Sequence, residues 1–107
     1  MKKVSQVAMM IAIAALVVSV AMPAHAQDTA ALYKAKCAMC HGPDGKGETP
    51  AGKSMGVKSF SSPEVAKAKD AELIEITSKG KGKMPAYDKK LTEDQIKELI
   101  KFIRTLK

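Results

Sequence analysis

Apolar and polar positions are arranged in two unlike ways along this chain. From Val7 to Met22 apolar residues run almost unbroken, interrupted only by Ser19. Beyond Asp28 they recur at helical spacing among charged and polar residues. The clearest stripe lies at the C-terminal end. There Ile96, Leu99, Ile100, Phe102, Ile103 and Leu106 fall within about 160° of one helix face, while Lys97, Lys101 and Arg104 take the other. Thr92 with Gln95 three residues on forms a capping box, and Leu91 with Ile96 forms the hydrophobic staple that fixes how the chain enters that helix.

Upstream, Asp28 is expected to cap a helix running to about Cys40. Ser62-Pro63-Glu64 reads as an N-cap, a first-turn proline and a first-turn acid. Asp70 is expected to cap a further helix in which Leu73, Ile74 and Ile76 face inward and which Gly80 ends. Residues 42–56 hold five glycines and two prolines, which predicts an irregular loop. No segment alternates apolar and polar residues long enough to make a strand. The expected fold is all-α, with about four helices.

The N-terminal apolar run follows Lys2 and Lys3 and ends at Pro23, after which Ala24-His25-Ala26 supplies the small residues of a cleavage site. An uncleaved membrane anchor is the alternative, but the run is shorter than the ~20 residues a spanning helix needs. Residues 1–26 are therefore expected to be a secretory signal peptide removed before Gln27. In a bacterium that delivers the chain to the periplasm without a stable membrane anchor.

What remains, residues 27–107, carries a net charge of +5 and four aromatic rings, Tyr33, Phe60, Tyr87 and Phe102. A chain this short holds a single domain, which excludes a multi-domain enzyme. So few rings make a poor core, and domains of this size usually need a staple. Cys37 and Cys40 could form a disulfide, but it would close too short a loop to constrain the unfolded chain.

Cys37-Ala38-Met39-Cys40-His41 is a C-x-x-C-H run. Two thiols three residues apart at a helix end can add to the two vinyl groups on one edge of a haem, and the adjacent imidazole then lies under the iron. The other readings fit less well. A thioredoxin-like dithiol follows a strand, and none precedes Cys37. A zinc site needs about four ligands, and residues 27–107 hold two cysteines and one histidine. A bare disulfide leaves His41 without a role.

On these residues the chain resembles a small single-haem class I cytochrome c of the bacterial periplasm. The resemblance covers nearly all of residues 28–107. It rests on Leu32-Tyr33-Lys34-Ala35-Lys36 leading into the cysteine motif and Gly42-Pro43-Asp44-Gly45-Lys46-Gly47, on Gly80-Lys81-Gly82-Lys83-Met84-Pro85-Ala86-Tyr87, and on Leu91-Thr92-Glu93-Asp94-Gln95-Ile96. One departure is Ala30, where family members often carry the glycine at which the terminal helices cross. The resemblance implies one covalent haem c on Cys37 and Cys40, with His41 as one axial ligand of the iron.

The second axial ligand is expected to be Met84, since Gly80 and Gly82 permit unusual dihedrals in its loop and Pro85 stiffens the exit. Met55 is the competing candidate, or packs against the haem. By resemblance, the Pro50 carbonyl accepts the second ring N–H of His41, although a simple loop proline is the alternative. Tyr87 either reaches a haem propionate or packs.

The implied function is a monomeric periplasmic electron carrier, not an enzyme, with both axial positions filled. The competing class is a peroxidase-like enzyme or small-gas sensor whose Met84 loop opens. Against it, residues 27–107 offer no second histidine and no obvious distal acid. A haem-free thiol protein is the third class. Lys79, Lys81, Lys83, Lys89 and Lys90 bracket Met84 with no acid among residues 76–87. They are either a solvated charge run or a rim that steers redox-partner proteins with acidic docking faces. Export removes nucleic acid as a partner.

The mature protein is expected to start at Gln27 and to carry one haem that acidified organic solvent does not extract. Intact mass on periplasmic material checks both, and colour lost to the solvent would show that Cys37 and Cys40 hold no haem.

Overall fold

The C-terminal helix organises the fold because, among the described helices, it presents the most pronounced apolar stripe. In a computed structural model that describes residues 24–106, with side chains from Gln27 onward, this helix spans Glu93–Ile103. The capping box forms as expected. Thr92 Oγ1 accepts from the Gln95 backbone N–H at 3.1 Å, and Gln95 Oε1 accepts from the Thr92 N–H at 2.8 Å. Leu91 and Ile96 are both buried on either side of the cap, so the staple forms as well.

Six helices and no strand occur among the described residues: α1 Ala24–Lys36, α2 Ala38–His41, α3 Pro50–Met55, α4 Pro63–Lys67, α5 Asp70–Lys79 and α6 Glu93–Ile103. Both α1 and α5 pack on α6, and α2 packs against α1 and α3. The core consists of Tyr33, Leu73, Leu91, Ile96, Leu99, Ile100 and Ile103, with Ile96 only 1% exposed. No helix among the described residues is long and apolar enough to cross a membrane. Residues 1–23 lie outside the described residues, and with them all but the last three residues of the expected signal peptide.

The all-α expectation holds, but the four anticipated helices are six shorter ones. The first is already helical at Ala24, so Asp28 lies inside it and caps nothing. The alanines at 24 and 26 are strong helix formers and extend it N-terminally. It then breaks at Cys37, where φ of −119° leaves the helical range and a separate turn, α2, restarts. The supposed irregular loop also contains α3. Thr49 caps it and Pro50 takes the first turn, the same Thr/Ser-Pro signature that marks α4.

Two other ends shift. Asp70 is the first residue of α5, and Lys69 holds the cap position without a side-chain bond. Asp70 instead accepts from Arg104 Nε at 2.8 Å, while Arg104 Nη2 donates to the Ala68 carbonyl at 2.6 Å, which pins the α4–α5 corner to the end of α6. The last helix stops at Ile103, leaving Leu106 beyond it. Thr105 satisfies a terminal carbonyl by donating its hydroxyl to Phe102 O at 2.6 Å.

Ala30 is half-buried in α1, and α1 still packs against α6 with a methyl group in place of hydrogen. Tyr33, one turn on, makes the crossing. It is 2% exposed, its ring lies 5.2 Å from that of Phe102, and its hydroxyl donates to the Gly42 carbonyl at 2.6 Å. Burial, aided by the nearby Cys37 and Asp44 charges, pushes the Tyr33 phenol up to about 12.

Tyr33→Phe removes one of two donors to a buried carbonyl, the Gly45 N–H remaining at 3.2 Å, which is expected to cost about 0.5–1.5 kcal/mol at neutral pH. The pH dependence runs the other way. A phenol that holds its proton longer folded than unfolded stabilises the fold fully below the ordinary tyrosine pKa, and this contribution disappears between pH 10 and about 12. Wild type is therefore expected to lose up to about 3 kcal/mol more than Tyr33→Phe across that window. Denaturant unfolding of both proteins at pH 7, 10 and 12 checks it; parallel curves would contradict it.

Candidate haem site

The local fold around the cysteine motif is set by backbone closures. The Cys37 carbonyl accepts from the N–H of Cys40 at 3.3 Å and of His41 at 3.0 Å, making one tight helical turn. That turn puts Cys37, Cys40 and His41 along a single surface. Gly47 N–H donates to the His41 carbonyl at 2.7 Å, which folds the following loop back under the histidine. Thr49 then ties α3 to the motif. Its hydroxyl donates to the Met39 carbonyl at 2.7 Å while accepting from Gly52 N–H at 2.9 Å. The backbone at Gly52 lies so close to the Cys40 and Gly47 carbonyls that a Cβ there would collide with both. Glycine is needed here for close approach rather than for unusual dihedrals.

The motif faces a largely apolar cavity of about 480 Å³. Cys37, Cys40, His41, Met55, Met84 and Tyr87 all line it, closed behind by Leu99, Ile100 and Ile103 of α6. Four lysines, Lys36, Lys58, Lys81 and Lys83, stand in the same wall. The structure thus brings together the two thiols, the imidazole, both candidate thioethers and the candidate tyrosine. Pro50 stays outside this lining. It is exposed at the start of α3, and its carbonyl makes no hydrogen bond with His41.

The two cysteines are free thiols. Burial pushes the Cys37 thiol up to about 11, so it is protonated at neutral pH. Burial also lowers the His41 pKa, which favours the neutral imidazole that ligates metals. Its Nδ1 is buried without a hydrogen-bond partner. The ring is held instead by Phe60, stacked at 4.7 Å between centroids with 21° between planes. Tyr87 donates its hydroxyl to the Lys36 carbonyl at 3.2 Å, and burial with the two nearby cysteines raises its pKa.

The Met84 loop is built around a two-residue turn in which Lys81 and Met84 exchange both backbone hydrogen bonds, at 3.1 and 3.0 Å. Gly80, with φ of +79°, ends α5 and starts the loop. A side chain there would press on the Met84 carbonyl at 2.7 Å. Met84 is half-buried, whereas Met55 is 44% exposed and Met39 is 80% exposed.

This donor set fits a covalently attached haem. Paired free thiols, a neutral buried imidazole, soft thioethers and a mostly apolar cavity within the ~300–1,000 Å³ of cofactor sites are what such a group requires. Among the described residues no cluster of three or more His, Cys, Asp or Glu offers an alternative metal site.

Sequence reasoning did not find Thr49 or Phe60. The Thr49-Pro50 pair carried a readable cap signal, whereas nothing local to Phe60 marks it as a neighbour of His41.

Residues 24–103 match the family described as cytochrome c oxidase, cbb3-type, subunit III. Among solved structures, the chain is similar to KustC0563, a c-type cytochrome, with 33% identity and a TM-score of 0.68 over 74% of this chain and 96% of that one. A tyrosine-to-phenylalanine mutant of the same cytochrome matches with 33% identity and a TM-score of 0.67, over 75% of this chain and 99% of the other. No curated protein matches the chain.

Proposed function

The chain belongs to the c-type cytochrome family, and we propose that it is a periplasmic electron carrier with one haem c held through Cys37 and Cys40 and ligated by His41 and Met84. Residues 1–26 direct export and are removed before Gln27. The observation that carries this reading is the convergence of both cysteines, His41 and Met84 on one apolar cavity.

The bound haem supplies a one-electron couple between ferric and ferrous iron. The chain's own residues set the conditions for it. Cys37 and Cys40 would tether the group through two thioethers, so that it would not leave during transfer. His41 and Met84 would hold the iron and leave no place on it for substrate. A thioether paired with an imidazole would also favour the reduced state more than two imidazoles would. The apolar wall from α6 keeps water away and limits reorganisation.

Met84 is favoured over Met55 because its loop is pre-shaped by the Lys81–Met84 turn, while Met55 ends a short helix with nearly half of its surface in solvent. Tyr87, bonded to the Lys36 carbonyl, joins the Met84 loop to the end of α1. It borders the haem site and serves chiefly to lock that loop.

Redox partners with acidic docking faces are the matching occupants of the lysine rim. Its five lysines are not equivalent. Lys79 pairs with Asp88 at 3.3 Å and Lys90 lies 5.6 Å over the Tyr87 ring, whereas Lys81 and Lys83 stand at the cavity itself. Lys58 is paired with Glu64, whose carboxyl is held below its usual range by Lys58 and, more weakly, Lys81. Lys81 and Lys83 are therefore the charges that steer a partner to the haem edge.

Met84→Ala is expected to abolish the sulfur-to-iron charge-transfer band of the oxidised protein and to lower its potential, with Met55→Ala keeping both. The reverse pattern would transfer the ligand role to Met55.

Electron-transfer rates with an acidic partner are expected to fall as salt passes about 0.1 M, where the screening length is about 10 Å. Lys81→Glu with Lys83→Glu is expected to slow the low-salt rate more than Lys97→Glu with Lys101→Glu. Equal slowing would mean that only net charge matters.

A further inference from the structure

We propose that Phe60 is the positioning residue for the His41 imidazole, fixing the plane of the ring by face-to-face packing in place of a hydrogen bond. This rests on the reading of His41 as an axial ligand. A ligating histidine is usually oriented by its second ring nitrogen, which donates to a carbonyl or carboxylate and so fixes the rotation of the ring. Here that nitrogen is buried and has no partner. The Phe60 ring instead lies 4.7 Å from the imidazole, 21° from parallel, close enough to restrict rotation about the Cβ–Cγ bond.

Phe60 is itself fixed. Its backbone N–H donates to the Gly45 carbonyl at 2.9 Å, and its ring meets Tyr33 edge-on at 6.4 Å. A Cβ at Gly45 would lie 2.6 Å from Phe60 Cδ2, so the glycine, at φ of +75°, lets the ring sit against the loop. The ring also borders a second cavity of about 380 Å³, lined too by Val65, Ile103 and Leu106. Phe60, Val65 and Ile103 line both cavities. Tight packing on every side does not dictate where its ring lies; the Gly45 backbone and the Tyr33 edge do.

The plane of an axial imidazole determines which iron orbitals it overlaps and hence how unpaired spin spreads over the oxidised haem. The experiment reads that distribution directly, from the paramagnetically shifted haem methyl resonances and the g-values of the ferric protein, in wild type, Phe60→Leu and Phe60→Tyr. Leucine keeps an apolar side chain but removes the flat face. Tyrosine keeps the face and can point its hydroxyl toward the second cavity.

The expected result is a changed order or spread of methyl resonances and shifted g-values in Phe60→Leu, restored in Phe60→Tyr. Unchanged signatures in Phe60→Leu, with only a lower unfolding midpoint, would make Phe60 a packing residue and overturn the inference. Equal displacement in both variants would overturn it too, because the aromatic face would not be what matters. Should Phe60→Leu fail to fold, Gly45→Ala decides by displacing the ring without removing it. Shifted signatures support the proposal and wild-type signatures overturn it. A His41→Ala protein that retains the wild-type low-spin spectrum would remove His41 as ligand and the proposal with it. That outcome is separate from one in which His41 ligates but Phe60 has no influence.

Discussion

Tyr33 donates a buried hydroxyl to the carbonyl of Gly42, the residue directly after His41, at 2.6 Å. The same side chain packs at the crossing of α1 and α6 and meets the rings of both Phe102 and Phe60. One residue therefore joins the helix crossing that closes the core to the backbone that presents the histidine. The Gly42 carbonyl follows a four-residue helix, and the Tyr33 hydroxyl is its shorter and second donor beside the Gly45 N–H at 3.2 Å. Movement of α1 relative to α6 would be transmitted through Tyr33 to the ligand turn.

Around that tie the structure uses close backbone approach where a larger protein would use a deeper core. Thr49 links the N-cap of α3 to the Met39 carbonyl, and Gly52 lets α3 lie directly on the Cys40 and Gly47 carbonyls. The motif on one wall of the cavity is thereby backed by main chain, which does not change rotamer. The cavity's other wall is the apolar stripe of α6, the helix with the most complete cap. The histidine ring stands between them and is fixed through packed rings, His41 to Phe60 to Tyr33 to Phe102, rather than through a polar network. Such a chain avoids further buried polar groups beside the redox centre, each of which would need its own partner.

Charge follows a different logic from packing. Exposed pairs such as Lys79–Asp88, Lys97–Glu93 and Lys101–Glu98 add little stability, because solvent screens them. Their effect is to neutralise three lysines away from the cavity, while Lys36, Lys81 and Lys83 stand in its wall. Arg104 differs: its planar head spans the Asp70 carboxylate and the Ala68 carbonyl and holds a corner of the fold.

The sequence by itself determined what depends on neighbours within a few residues. The capping box of Thr92 and Gln95, the Ser62-Pro63 start, the stop at Gly80 and the C-x-x-C-H turn are all local hydrogen-bonding or dihedral requirements, and each reads directly from spacing. It also determined the helix class and the family, since the motif and the glycine loop around Met84 are contiguous blocks. Misplaced boundaries came from local signals competing. Asp28 is a good cap, but the alanines before it are better helix formers. Asp70 could cap its helix, yet Arg104, distant in sequence, engages its carboxylate. Only the tertiary structure decided that Met55 and Met84 share one cavity with His41, that Pro50 lies outside it, and that Phe60 rather than a carbonyl faces the imidazole. Those relations depend on the path of the loop after His41 and on how α1 and α6 cross. Neither is encoded at short range, because ring packing and cavity shape arise only when segments far apart in the chain meet.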